Sequence, residues 1–298
     1  MQNIITRLSC VTVKRLTIFT MAFILVACSA VRIGFNNGET VSYWWLNSYV
    51  DFEDGQKSLV KGRLENLFAW HHKTQLRDYA KLVSRIQHRD LAVASKADLL
   101  NDYEEGMKYL TLVTDRAAPD LADLALSLTP AQITHIEEKL EKNNLKFRKE
   151  YLRGDRLSRQ EFRYKKMMTQ AEYWFGNFSR AQEQKLRALS DARPLNNELV
   201  LADRMRRQME LVALLKKIHG EKPGKEATTA MIKKYVAATA DHYGNKEHQA
   251  YFDVLTDANA VLVAEMMRMA TADQKSHFVK ALQDWVSDFN RLSAKAAA

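Results

Sequence analysis

His71, Gln75 and Tyr79 recur at intervals of four, so a helix would set an imidazole, an amide and a phenol on one face. Such a stripe can hydrogen-bond to a neighbouring helix or touch a small ligand or peptide. Metal binding asks for more: His71 and the adjacent His72 would point about 100° apart, and no His-x-x-x-His pair supplies a second ligand. A second concentration of ring chemistry lies at Tyr43, Trp44, Trp45 and Tyr49, followed by Asp51 and Phe52. Its rings either plug a bundle, rest among lipid headgroups or line a ligand groove. Tyr43, Trp44, Trp45, Tyr49, Asp51, Trp70, His71, Gln75 and Tyr79 form the candidate binding set. A basic stripe, Lys149, Arg153, Arg156, Arg159 and Arg163, either meets anionic headgroups or an acidic partner, or is simply solvated. Met167, Met168, Met205, Met209, Met266, Met267 and Met269 suit helix interiors or an adaptable apolar binding surface. There is no Gly-x-Ser-x-Gly elbow, glycine-rich phosphate loop or His-Glu-x-x-His. No catalytic residue, metal or cofactor is therefore expected.

The elements that must position these groups are helices. Gly and Pro number only 10 and 4 in 298 residues, and apolar residues recur three and four apart, as at Val60, Leu64, Leu67 and Phe68. The expected fold is an all-α, multi-helix bundle with long antiparallel helices. Three capping boxes mark helix starts: Thr129 with Gln132, Ser179 with Gln182, and Thr271 with Gln274. Ser158 and Glu161 have the spacing of a fourth, after a stop at Gly154. Helices are expected near 43–51, 57–88, 96–126, 130–152, 159–175, 180–191, 196–218, 226–242, 248–269 and 272–294. Pro119 should bend or split the third, 219–225 is a candidate subdomain break, and the tail from Ser293 should fray.

The amino terminus reads as an export signal, with Arg7, Lys14 and Arg15 preceding an apolar run from Leu16 to Ala27. Even extended to Val31, that run falls short of the roughly 20 residues a spanning helix uses. Leu25-Val26-Ala27-Cys28 resembles the lipobox of bacterial lipoproteins. The resemblance implies a signal peptide over 1–27, acyl chains such as palmitate on Cys28, a linker over 28–42 and a helical domain over 43–298. Ser29 in place of Asp favours the periplasmic face of the outer membrane over the inner membrane. Cys10 and Cys28 would then leave no thiol for a disulfide. The formal charge of +9 falls by three once the leader is set aside, an excess too mild to argue for nucleic acid.

Tyr43 to Phe52, with Trp70-His71, Thr74-Gln75-Leu76 and Tyr79, resembles a family of uncharacterised Gram-negative lipoproteins defined by a domain of unknown function. Leu128 to Gln132 and Ala270 to Phe278 are also similar to the Leu-Thr-x-x-Gln motifs of the Spy and CpxP periplasmic chaperones, although Ala270 and Phe178 depart from the leading Leu. That similarity implies an ATP-independent chaperone with an apolar, basic-rimmed concave surface. The sequence thus leads to a lipid-anchored periplasmic protein acting by binding, chaperone-like toward envelope polypeptides. A structural or membrane-surface lipoprotein and an unrecognised enzyme are the alternatives. Its expected partners are the membrane, through Cys28, and envelope proteins or unfolded polypeptides.

Overall fold

The computed structural model describes residues 37–296; the leader, the lipobox and Cys28 lie outside them. The described residues form an all-α bundle of eleven α-helices and two short 3-10 turns, with no strand among them. In chain order these are α1 (Gly38–Val50), α2 (Asp54–Thr74), α3 (Leu76–Gln87), α4 (Lys96–Ser127), α5 (Pro130–Tyr151), α6 (Arg156–Phe175), α7 (Arg180–Ala192), α8 (Asn197–Glu221), α9 (Lys225–Ala240), α10 (Lys246–Met269) and α11 (Ala272–Lys295). The 3-10 turns, Leu91–Val93 and His242–Gly244, precede α4 and α10.

Apolar faces of these helices close over two main cores. Tyr43, Val50, Phe52, Val60, Leu64, Ala118, Ile133, Val212, Ile218 and Ile232 gather α1, α2, the end of α4, α5, α8 and α9. Leu91, Met168, Phe175, Leu186, Leu262, Met266, Met267, Phe278 and Leu282 gather α6, α7, α10 and α11 with the turn before α4. A smaller cluster of Leu76, Ala80, Phe289 and Leu292 joins α3 to α11. These two helices run antiparallel, since Gln87 bonds Gln283 at one end while the Tyr79 ring meets Phe289 nearer the other.

Several expectations need correction. The helix expected over 57–88 is interrupted at Gln75, where the Thr74 hydroxyl donates to the Trp70 carbonyl at 2.8 Å, a back-bond that bends helices. Residues 38–42, read as linker, already belong to α1, whose first turn carries Glu39 beside the partly positive helix start. Ser158 is not a cap: Asp155 accepts from the Ser158 backbone N–H at 2.8 Å, and α6 starts at Arg156. Pro119 does not split α4, which runs unbroken through it. The segment 219–225 separates no cores, because Ile218 before it and Ile232 after it share one cluster. The tail does not fray at Ser293, which is only 2% exposed inside α11.

Candidate functional site

The three capping boxes all form, and they do more than start helices. Gln132 and Gln274 each meet a second capping glutamine from far along the chain. In the first pair, Gln56 Nε2 donates to Gln132 Oε1 at 3.2 Å, and Gln132 Nε2 donates back to Gln56 Oε1 at 2.6 Å. In the second, Gln182 Nε2 donates to Gln274 Oε1 at 2.8 Å and Gln274 Nε2 returns the bond at 3.2 Å. Each amide also reaches a carbonyl two residues before its partner's cap: Gln132 to Asp51, Gln56 to Ser127, Gln182 to Met269 and Gln274 to Asn177. All four glutamines are buried. A buried amide is costly unless satisfied, and here both ends of each side chain find partners. Asp51 takes the left-handed conformation, φ 54°, that short polar side chains tolerate. Its carbonyl anchors the first clasp.

Beside the second clasp, Phe175 ends α6, Phe178 precedes the cap of α7 and Phe278 lies in the second turn of α11, with Phe175 and Phe278 stacked at 4.8 Å. Beyond those rings the helices part. Val83 and Ile86 from α3, Leu99 from α4, Met167, Ala171 and Trp174 from α6, Leu262, Val263, Met266 and Met267 from α10, and Leu282 from α11 wall a cleft of about 750 Å³. That volume lies within the roughly 300–1,000 Å³ of small-molecule sites, and so does a mostly apolar lining.

Its polar residues concentrate at Arg163, Lys166, Gln170, Arg193 and Asn259. Arg163 donates to the carbonyls of Ser190 at 2.6 Å and Pro194 at 2.7 Å, capping α7. Arg193 donates to the Asn259 amide oxygen at 2.8 Å and to the Ser190 hydroxyl at 3.1 Å. None of these acceptors is charged. Burial, with the charge of Arg163 beside it, pushes Arg193 down to about 10, and burial also lowers Arg163. Asp102, the acid in the lining, is already held by Arg85 and Arg89.

The sequence-derived candidates are dispersed. Within the aromatic set, Tyr43 belongs to the first core, and Tyr49 packs against it while accepting from Asn143 Nδ2 at 2.8 Å. Trp44 and Trp45 point outward, 64% and 59% exposed, so they do not plug the bundle. The basic stripe divides too: Lys149, Arg153 and Arg156 are solvated, Arg159 pairs with Glu198 at 2.6 Å, and Arg163 turns into the cleft mouth.

At the joint of α2 and α3, His71 Nε2 lies 3.2 Å from the Tyr79 hydroxyl, and Gln75 Nε2 donates to Thr74 Oγ1 at 3.1 Å. Trp70 is half-buried, with Arg116 over its ring. His71 Nδ1 and Gln75 Oε1 are buried without a hydrogen-bond partner. Burial pulls His71 down to about 4.

Arg193, Asn259, Leu262 and Trp174 were not singled out in the sequence. Only the methionine pairs at 167–168 and 266–267 signalled this wall. Also unforeseen was Asp203, 1% exposed, whose Oδ1 sits 2.9 Å from His242 Nδ1 and 3.2 Å from His248 Nδ1. Arg207 Nε approaches the other oxygen, Oδ2, at 3.0 Å. The histidine contacts tie α8 to the corner where His242 and Tyr243 adopt φ of 45° and 56°. Among the described residues no group of three or more His, Cys, Asp or Glu is placed to hold a metal ion.

A family model, described as a family of unknown function, DUF6279, matches residues 48–234. The chain belongs to this family. The match covers both halves of the first clasp and the Gln182 side of the second, while Gln274 and the α10 and α11 walls of the cleft lie beyond it. No curated protein and no solved structure matches the chain, and the similarity to the Spy and CpxP chaperones is not supported.

Proposed function

We propose that this protein is a lipoprotein of the bacterial envelope, tethered through acyl chains on Cys28 at the periplasmic face of the outer membrane, and that it acts by binding rather than catalysis. The cleft walled by α3, α6, α10 and α11 receives an extended apolar chain from another envelope component. The observation that carries this reading is the cleft itself, with about 750 Å³ of space among apolar side chains behind a closed helix corner. Ten residues of a helical partner would fill roughly 1,200 Å³, about 15 Å of a cylinder 10 Å across, so a thinner chain suits it better. Methionines on two walls can adapt to such a chain.

Full-length protein in nanodiscs of zwitterionic lipid should bind a neutral naphthylamine dye saturably, above the signal of empty discs. Val263→Trp, which places an indole in the cleft, should abolish that binding without lowering the melting temperature. Equal binding by the blocked variant sinks the cleft as the site. Cys28→Ser should release the protein from the membrane fraction.

The outward-facing Trp44 and Trp45 support a second reading, in which α1 rests against headgroups close to the tether. Among the described residues no helix is long and apolar enough to cross a membrane.

A further inference from the structure

Resting on the reading of the cleft as a site for an extended apolar chain, we propose that its ligand is a long-chain fatty acid, held by its carboxylate at the Arg163 and Arg193 guanidiniums. Its tail lies along Met167, Trp174, Met266 and Leu282. Three observations converge on this chemistry. The cleft lining combines polar groups, Arg163, Lys166, Gln170, Arg193, Asn259 and the already paired Asp102, with methionine, tryptophan and leucine, and Arg193 meets Asn259 in a hydrogen bond of 2.8 Å. Both arginines are half-buried and donate only to neutral oxygens, and the nearby carboxylate whose charge reaches both, Asp191, is itself held by Arg187 at 2.8 Å. Arg163 Nε is buried and has no hydrogen-bond partner at all.

Volume selects the number of chains. At roughly 30 Å³ per heavy group, about the share of one water in the liquid, a chain of about eighteen carbons occupies roughly 540 Å³. One such chain fits in 750 Å³ and two do not. A guanidinium fork matches a carboxylate in geometry and forms charge-assisted hydrogen bonds roughly twice as strong as neutral ones. Arg163 must keep its carbonyl partners to cap α7, so Arg193 is the arginine free to exchange a neutral acceptor for an anionic one.

Trp174 offers a local readout, because bromine atoms on a bound acyl chain quench a nearby indole. Full-length protein in zwitterionic nanodiscs is titrated with dibromostearate and, separately, with its methyl ester. The acid should quench saturably, Trp174→Phe should remove the saturable part, and the ester should bind about tenfold more weakly. Arg193→Gln should bring acid and ester to the same affinity while the melting temperature holds. If that variant misfolds, Lys166→Gln, on the exposed edge, should narrow the acid-to-ester ratio instead. Equal affinities for acid and ester in the unaltered protein overturn carboxylate recognition and leave the apolar cleft standing. Failure of both lipids where the neutral dye still binds overturns the fatty acid as ligand. Failure of the dye as well overturns the cleft reading beneath it.

Discussion

The same glutamine clasp is built twice, yet the two regions it closes are unlike. Around Gln56 and Gln132, the residues preceding the caps, Phe52 and Leu128, are both buried, and the gap between α1, α2 and α4 measures only about 60 Å³. Around Gln182 and Gln274, the equivalent residues are a half-buried Phe178 and the small Ala270, and the helices open into about 750 Å³. Closely matching hydrogen bonds therefore frame a nearly closed gap between α1, α2 and α4 in one place and an apolar cleft in the other, while a groove of about 550 Å³ edged by Glu137, Glu141 and Lys216 runs between α5 and α8 farther along the first region. A clasp fixes where helix ends meet, whereas the side chains farther along decide whether the space between the helices is filled.

The largest effect should come from removing bulk on either side of this contrast. Ile218→Ala, in the first core, should cost about 2–5 kcal/mol in denaturant unfolding. Met167→Ala, on the cleft wall with part of its surface already exposed, should cost less than about 1 kcal/mol. Similar losses at both sites would mean that the cleft is as tightly filled as the core.

Next come the clasps. Gln132→Ala and Gln274→Ala each remove a cap and strand a buried partner amide, and each should cost about 2–4 kcal/mol. The two costs should be close, since every hydrogen bond of the second clasp has its counterpart in the first, where Gln56 Nε2 reaches the Ser127 hydroxyl at 3.1 Å as well. A neutral result at Gln274 would show the second clasp to be ornamental and the resemblance superficial.

The joint between the two regions should report on pH. Burial lowers His71 from 6.5 to about 4 and lowers His72 as well, so the fold holds both imidazoles neutral. Below pH 6.5 the unfolded chain takes up protons that the fold refuses. Stability should thus be complete above that pH and decline steadily toward pH 4, and His71→Phe should flatten the profile. A flat profile in the unaltered protein would place the His71 ring in contact with water.

The smallest expected effect is at α1. Replacing Trp44 and Trp45 together with Ala should change stability by no more than about 0.5 kcal/mol, because both rings already face solvent. Binding of the protein to lipid vesicles should weaken all the same. A large drop in melting temperature would return these rings to the core.

Much of this was legible along the chain. Each Thr or Ser three residues before Gln at 129, 179 and 271 marked a helix start, because a capping box is a local device whose two hydrogen bonds close within one turn. The clasp was not legible. Its partners stand 76 and 92 residues apart, and no local rule relates Gln56 to Gln132 or Gln182 to Gln274. Glu53 with Gln56 escaped notice as a cap because its first residue is an acid rather than a hydroxyl. The cleft was half legible: paired methionines on α6 and α10 stood out, but Arg193 sits in an unremarkable turn after α7, and only folding brings it to Arg163.

By itself the sequence determined what short-range physics can determine. Apolar spacing and the scarcity of glycine and proline decided that the chain is helical, and hydroxyl-to-glutamine spacing decided where helices begin, since both depend on contacts within a turn or two. The tertiary structure alone decided which caps embrace, which tryptophans face water and where a core gives way to a cleft. Those outcomes depend on which surfaces meet across tens of residues, and packing complementarity between distant helices leaves no periodic trace in either partner.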